Sequence, residues 1–294
     1  MKNIRISVIV LLIVQALWPA SSSAADAERA GFDDALTKQE QIYRSRGESR
    51  PDGYVIDRSL LSYVYTLSAG FDRALAALGA TDRWLEIGAG RGQAVLDYFA
   101  GKIDAMNAAV PAHVEDKAQV VAISIEDRRT PVWQQTAATL APDRMQYLHG
   151  KRLREYAPAE LGRFKLITDV IGGFSYSVNL SDFMATVLSL LEVNSDFYTV
   201  LQDVHSREGT NKPHYAGAPY LTEISKPDGS KVKICSWLQS IGCVQVTCDL
   251  KAGWKPPIEV YHIRKVCANT QVPLLITTHF EAGTPPERGF LLAN

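Results

Sequence analysis

Glu86-Ile87-Gly88-Ala89-Gly90-Arg91-Gly92 sets a carboxylate two residues before the first of three alternating glycines. Trp84, Leu85 and Ile87 suit a buried strand, the glycines strip side chains from a tight turn, and Gln93 to Ala100 reads as a helix. Strand end, bare turn and helix N-terminus together make a ligand cradle. Spacing argues against a dinucleotide. Gly-x-Gly-x-x-Gly needs a third glycine where Gln93 stands, and an acid roughly 20 residues further on that is missing from any strand end here. A carboxylate beside the turn suits a cation and repels a pyrophosphate.

The Glu-x-Gly-x-Gly-x-Gly arrangement resembles motif I of the class I S-adenosylmethionine-dependent methyltransferases. The resemblance implies S-adenosyl-L-methionine as cofactor, with Gly88, Ala89, Gly90 and Gly92 letting the backbone approach it and Glu86 helping to hold its methionyl ammonium. It also implies an acid at the end of the second strand to accept both ribose hydroxyls, a task that suits a carboxylate. Glu126 is the first candidate and Asp127 the second, although Ser124 occupies the more typical position. Lys151 stands where the family often carries an acid for the adenine amino group.

Asp169 closes a fourth strand and precedes Ile171-Gly172-Gly173-Phe174-Ser175-Tyr176, at the carboxyl end where a doubly wound sheet opens its crevice. It is the candidate for contacting the substrate or the sulfonium side of the cofactor; capping the turn before the next helix would explain it equally. His205 is a candidate general base. Asp203, His205 and His214 are too irregularly spaced to argue for a metal site, and none is expected.

The elements that must position these groups alternate. Ala27 to Arg46 and Ser59 to Leu78 read as helices, the second with Leu60, Val64, Leu67, Phe71, Leu75 and Leu78 at helical spacing. Tyr54, Asp57 and Arg58, before that helix, either face the pocket or form a solvated helix start with Asp57 near its N-terminus. Strands follow at Gln119 to Ile125, Met145 to His149, Phe164 to Val170 and Asp196 to Leu201, with a helix at Ser181 to Leu191. A helix at Ile234 to Ile241 leads to a hairpin of Val244 to Asp249 and Ile258 to Val266, which is similar to the family's closing element. The fold class is therefore α/β: a Rossmann-like doubly wound sheet of about seven strands with the last strand antiparallel, preceded by N-terminal helices. Residues 25–80 form the helical segment and 81–294 the methyltransferase-like domain, with a substrate-side insertion at 203–233.

Lys2 and Arg5 precede an apolar run from Ile6 through Trp18, then Pro19 and small residues to Ala25, the layout of a signal peptide over 1–24. An uncleaved anchor is the other reading, though the run is short for a span. No second long apolar segment appears, so no stable membrane span is expected after cleavage. Cys235, Cys243, Cys248 and Cys267 permit three pairings; the hairpin brings Cys243 near Cys267, and one disulfide or four buried thiols both fit. A formal net charge of -1 over 294 residues leaves no basic footprint, so nucleic acid is not expected as a partner.

These features point to a methyltransferase that moves a methyl group to a small-molecule or protein side-chain acceptor in the periplasm or outside the cell. An exported domain meets little S-adenosylmethionine beyond the cytosol, which leaves three readings. The cofactor reaches that compartment, the start codon is misassigned and the protein is cytoplasmic, or the scaffold is an exported, catalytically inactive ligand-binding or interaction protein.

Overall fold

The computed structural model describes residues 31–42, 57–106, 113–140, 143–202, 220–251 and 258–293. Residues 31–42 are helical (α1), and the rest of the N-terminal segment is carried by α2 (Leu60–Thr66) and α3 (Phe71–Ala76). The expected single helix over Ser59 to Leu78 is thus two. Leu67 is extended and Gly70, at φ 99°, starts the second helix in a left-handed conformation that glycine tolerates. The bend lets Leu60 and Tyr63 on one side and Phe71 and Leu75 on the other enter the same core.

Five parallel strands, β1 (Arg83–Ile87), β2 (Gln119–Ile123), β3 (Met145–Leu148), β4 (Phe164–Val170) and β5 (Leu191–Gln202), stand in the order β3-β2-β1-β4-β5. The closing hairpin, β8 (Val244–Lys251) and β9 (Ile258–Lys265), continues the sheet beyond β5. There β9, the last of the seven in the chain, lies antiparallel between β5 and β8. This is the Rossmann-like sheet that the alternating pattern implies.

Because side chains alternate across a strand, the unbroken apolar runs feed cores on both faces. Trp84 packs on one face with α2, α3, α4 (Gln93–Phe99) and Trp133 of α6 (Pro131–Thr139). Leu85 and Ile87 pack on the other with α9 (Leu180–Leu190) and α10 (Ile234–Gln239). The α6 helix escaped the sequence reading although its local signals are present: Thr130 caps it by accepting from the Trp133 amide at 3.1 Å, and Pro131 opens its first turn. At the far end of α9, the buried Lys265 ammonium donates to the carbonyls of Leu188 (2.7 Å) and Leu191 (2.9 Å), a cation at a helix C-terminus.

A second sheet was not anticipated. Of the expected 203–233 insertion, 203–219 lie outside the described residues, while β6 (Thr222–Ser225) and β7 (Lys231–Val232) pair with β10 (Leu275–Glu281) and β11 (Glu287–Leu292) in the order β10-β11-β6-β7. Ile224, Leu275 and Phe290 bury this sheet against the α9 and α10 face.

Cys243 and Cys267 do meet, at a Cα separation of 5.1 Å, and Cys235 and Cys248 form a second bridge at 6.1 Å. One bond ties α10 to β8 and the other closes the ends of the β8–β9 hairpin. Loop-closure entropy gives roughly 3 kcal/mol for bridges of this span. Non-reducing mass spectrometry should find no free thiol, and adding a reductant should lower the thermal midpoint by several degrees. An unchanged midpoint would count against both bonds.

Candidate functional site

The β1–α4 turn is pinned to its neighbour before any ligand is considered. The amides of Gly88 and Ala89 both donate to the Ile123 carbonyl, at 2.9 and 3.0 Å. Gly88 has φ 74°, and a Cβ there would come within 3.1 Å of the Gly172 Cα in the loop after β4. A side chain at Gly88 would therefore wedge apart the two loops that the turn brings together. Gly92, at φ 78°, answers a different constraint, because a Cβ on it would strike the Trp133 ring. The Tyr147 hydroxyl donates to the Gly90 carbonyl at 2.5 Å and fixes the tip.

Above this turn lies a cavity of about 310 Å³. Its floor is the row of strand ends: Ile87, Gly88 and Gly90 after β1, Ser124 to Glu126 after β2, and Ile171 to Gly173 after β4. Such a row is where an open α/β sheet receives ligands. The roof comes from the two ends of the chain, with Leu36 and Gln39 on α1 and Phe280 on β10. The Gln39 side chain holds Gly283 by two hydrogen bonds, donating to its carbonyl at 3.0 Å and accepting from its amide at 2.9 Å. Phe32 meets Phe280 edge to face, and Glu40 pairs with Arg152.

Two acids sit just under that floor, on adjacent strands and opposite faces. Glu86 stands beside Thr168 in the β1–β4 register and is buried; Thr168 donates to one of its oxygens and the Tyr63 hydroxyl to the other, at 2.5 Å. The Trp84 indole in turn donates to Thr168 at 2.7 Å. Asp169, on the other face, accepts from the Phe174 amide at 2.5 Å, while its Oδ1 is buried without a partner behind Gly172. Burial is the main cause that raises Glu86 to about 8 and Asp169 to about 7, only partly offset by these hydrogen bonds. Arg288 of β11 is buried too, and donates to the carbonyls of Phe174 (2.9 Å) and Ser177 (2.7 Å), holding the cavity's β4 loop to the second sheet.

The other sequence candidates divide. Glu126 lines the cavity and pairs with Arg128. Asp127 does not; the Arg129 guanidinium hydrogen-bonds it at 2.6 Å and holds its carboxyl down at about 2. Ala89 and Gly92 support the turn from behind the wall. Arg58 reaches the cavity, whereas Asp57 accepts from the Gln93 amide at 3.3 Å outside it. Lys151 is in the wall and pairs with Glu160 at 3.3 Å. Tyr54, Asp203, His205 and His214 lie outside the described residues. Tyr63, Thr168 and Arg288 escaped sequence reasoning. Thr168 was exposed to it as the polar neighbour of Asp169 in an apolar strand, but nothing local marks Tyr63 or Arg288.

A doubly wound sheet with an antiparallel last strand, opening a glycine-floored cavity at its parallel strand ends, places the chain in the Rossmann-like class implied by the motif. Among solved structures it is similar to an rRNA methylase from Streptococcus thermophilus, at 8% identity and TM-score 0.39 over 67% of this chain and 93% of that one. It is also similar to the N-methyltransferase NodS from Bradyrhizobium japonicum, at 11% identity and TM-score 0.38 over 66% and 92%, and to the antibiotic-resistance methyltransferase Kmr, at 12% and 0.39 over 67% and 93%. No family model and no curated protein matches the chain. Superpositions this loose carry no function, which has to be read from the cavity.

The raised pKa of Glu86 has a stability consequence with a definite sign. An acid that holds its proton more tightly when folded favours the fold at low pH, and that contribution is lost as pH rises from about 4.5 towards about 8. The thermal midpoint should therefore fall between pH 6 and pH 9, and fall less in Glu86→Gln. Parallel pH profiles for the two proteins would refute the assignment.

Proposed function

We propose that the chain is an S-adenosyl-L-methionine-dependent methyltransferase acting on a small-molecule or protein side-chain acceptor. One juxtaposition carries the reading: a cavity wall without side chains at Gly88 and Gly90 adjoins strands that carry two buried acids, Glu86 and Asp169, hydrogen-bonded by neutral donors. As the two acids ionise, a pyrophosphate would be repelled there and a positively charged nucleoside drawn in. The bare backbone of Gly88 and Gly90 in the cavity wall fits the close approach of such a ligand.

When bound, the cofactor supplies a methyl group on a sulfonium leaving group. The chain's own residues hold and orient. Glu126, which lines the wall, would accept two hydroxyls of the cofactor, and Glu86 and Asp169, when ionised, would favour positive charge near the turn. Phe183 and Tyr176 line the cavity and exclude water from it. Positioning of the two reactants supplies much of the rate in such a transfer. Asp169, which burial beneath the Gly172 loop raises to about 7, and His205 are the candidate bases.

We read the protein as periplasmic or secreted. Two disulfides suit an oxidising compartment, and no helix among the described residues is long and apolar enough to cross a membrane.

Calorimetric titration with S-adenosylmethionine, S-adenosylhomocysteine and NAD should give heat with the first two alone. Silence from all three would favour a binding protein that has kept the scaffold without the cofactor. Gly88→Val should abolish both heats while the circular dichroism spectrum is retained; unchanged affinity would displace the site. Preference for the sulfonium over S-adenosylhomocysteine should rise several-fold from pH 6 to pH 9, as Glu86 and Asp169 ionise beneath it. A flat ratio would remove the two acids from the binding model.

A further inference from the structure

Among the described residues, five cationic side chains, Arg58, Arg128, Lys151, Arg152 and Arg154, share the cavity wall with two acids, Glu126 and Asp182. Most of that charge is committed to the protein itself. Arg128 pairs with Glu126, Lys151 with Glu160 and Arg152 with Glu40, and Arg58 is engaged as well. Arg154 differs: among the described residues it makes no hydrogen bond and no ion pair, although Leu153 beside it is anchored in the core and α9 packs against its turn. Arg154 is exposed and lines the same cavity as Tyr176, Phe183 of α9 and Phe280 of β10.

We propose that this end of the cavity binds a small carboxylate with an apolar or aromatic body, its carboxylate on Arg154 and its body among Tyr176, Phe183 and Phe280. A single guanidinium matches the two oxygens of one carboxylate. A phosphate dianion would call for a second uncommitted cation, and the neighbouring ones are already paired. A macromolecular acceptor is disfavoured by the roof, where Gln39 and Gly283 hold the chain's two ends together above the site. That this ligand is the methyl acceptor rests on the methyltransferase reading; that it binds does not.

The test uses three probes that share one phenylpropenyl skeleton, trans-cinnamate, its isostere cinnamamide and the cationic cinnamylamine, followed by ligand-observed NMR on the full chain with and without S-adenosylhomocysteine. Cinnamate should bind about tenfold more tightly than cinnamamide, the scale of a charge-assisted hydrogen bond, and cinnamylamine should be the weakest. Added salt should weaken cinnamate alone. Arg154→Ala should remove the preference, Arg154→Lys should restore part of it, and Lys165→Ala at the opposite end of β4 should leave it intact. Equal binding of acid and amide, tighter binding of the amine, an unaffected Arg154→Ala or no binding of cinnamate at millimolar concentration would each overturn the proposal. Cinnamate binding without any binding of S-adenosylhomocysteine would sink the methyltransferase reading and leave the anion site standing.

Discussion

A carboxylate cannot be buried without partners, and the way Glu86 is satisfied governs much of this molecule. Its partners are neutral: a tyrosine from the N-terminal helices and a threonine from the adjacent strand, the latter itself held by the Trp84 indole. Neutral donors satisfy the acid's hydrogen bonds without supplying a counter-charge, so burial dominates and the proton stays on into the neutral range. An acid in that state responds to whatever charge arrives above it. The same contacts make α2 part of the site's foundation, because the segment that precedes the sheet supplies one of the two donors.

Asp169 repeats the arrangement on the other face. The parallel register sets it level with Ile87, one residue further along than the Glu86–Thr168 pair, so the two acids flank one strand edge from opposite sides. Each is held by elements from its own face: Tyr63 and α2 for Glu86, the Phe174 loop for Asp169. Arg288 fixes that loop from the second sheet and also pulls Asp169 towards its ionised form. The C-terminal strands thus act on the site twice, through Arg288 below and through Phe280 and Gly283 above. The chain's two ends close over the middle of the chain.

The charges around the cavity sort by whether they serve the fold. Asp127 is tied to Arg129 outside the wall, Glu160 holds the wall's Lys151, and Arg152 joins the wall to the roof helix. What remains facing the space is the uncommitted Arg154, a bare backbone at the glycines and an aromatic surface. A polarised ligand and an apolar one would find different ends of the same cavity.

Local chemistry was legible in the sequence. The strand, glycine turn and helix at 83–100, the closing hairpin and the approach of Cys243 to Cys267 follow from apolar runs, turn residues and periodicity over short spans, and the antiparallel last strand from the resemblance of that hairpin to a methyltransferase's closing element. The second sheet was hidden because β6 and β7 are too short to show a period and because β11 pairs in parallel with a strand some sixty residues earlier. The separation of Glu126 from Asp127 is a matter of which way two consecutive side chains turn beyond a strand end, and each was settled by an arginine two residues on. The Tyr63 contact to Glu86 joins residues 23 apart, and Arg288 reaches 114 positions back to Phe174. Turn conformation and strand burial are written into neighbouring residues, but the partner of a buried polar group is chosen by packing between distant segments, and only the folded chain decides that.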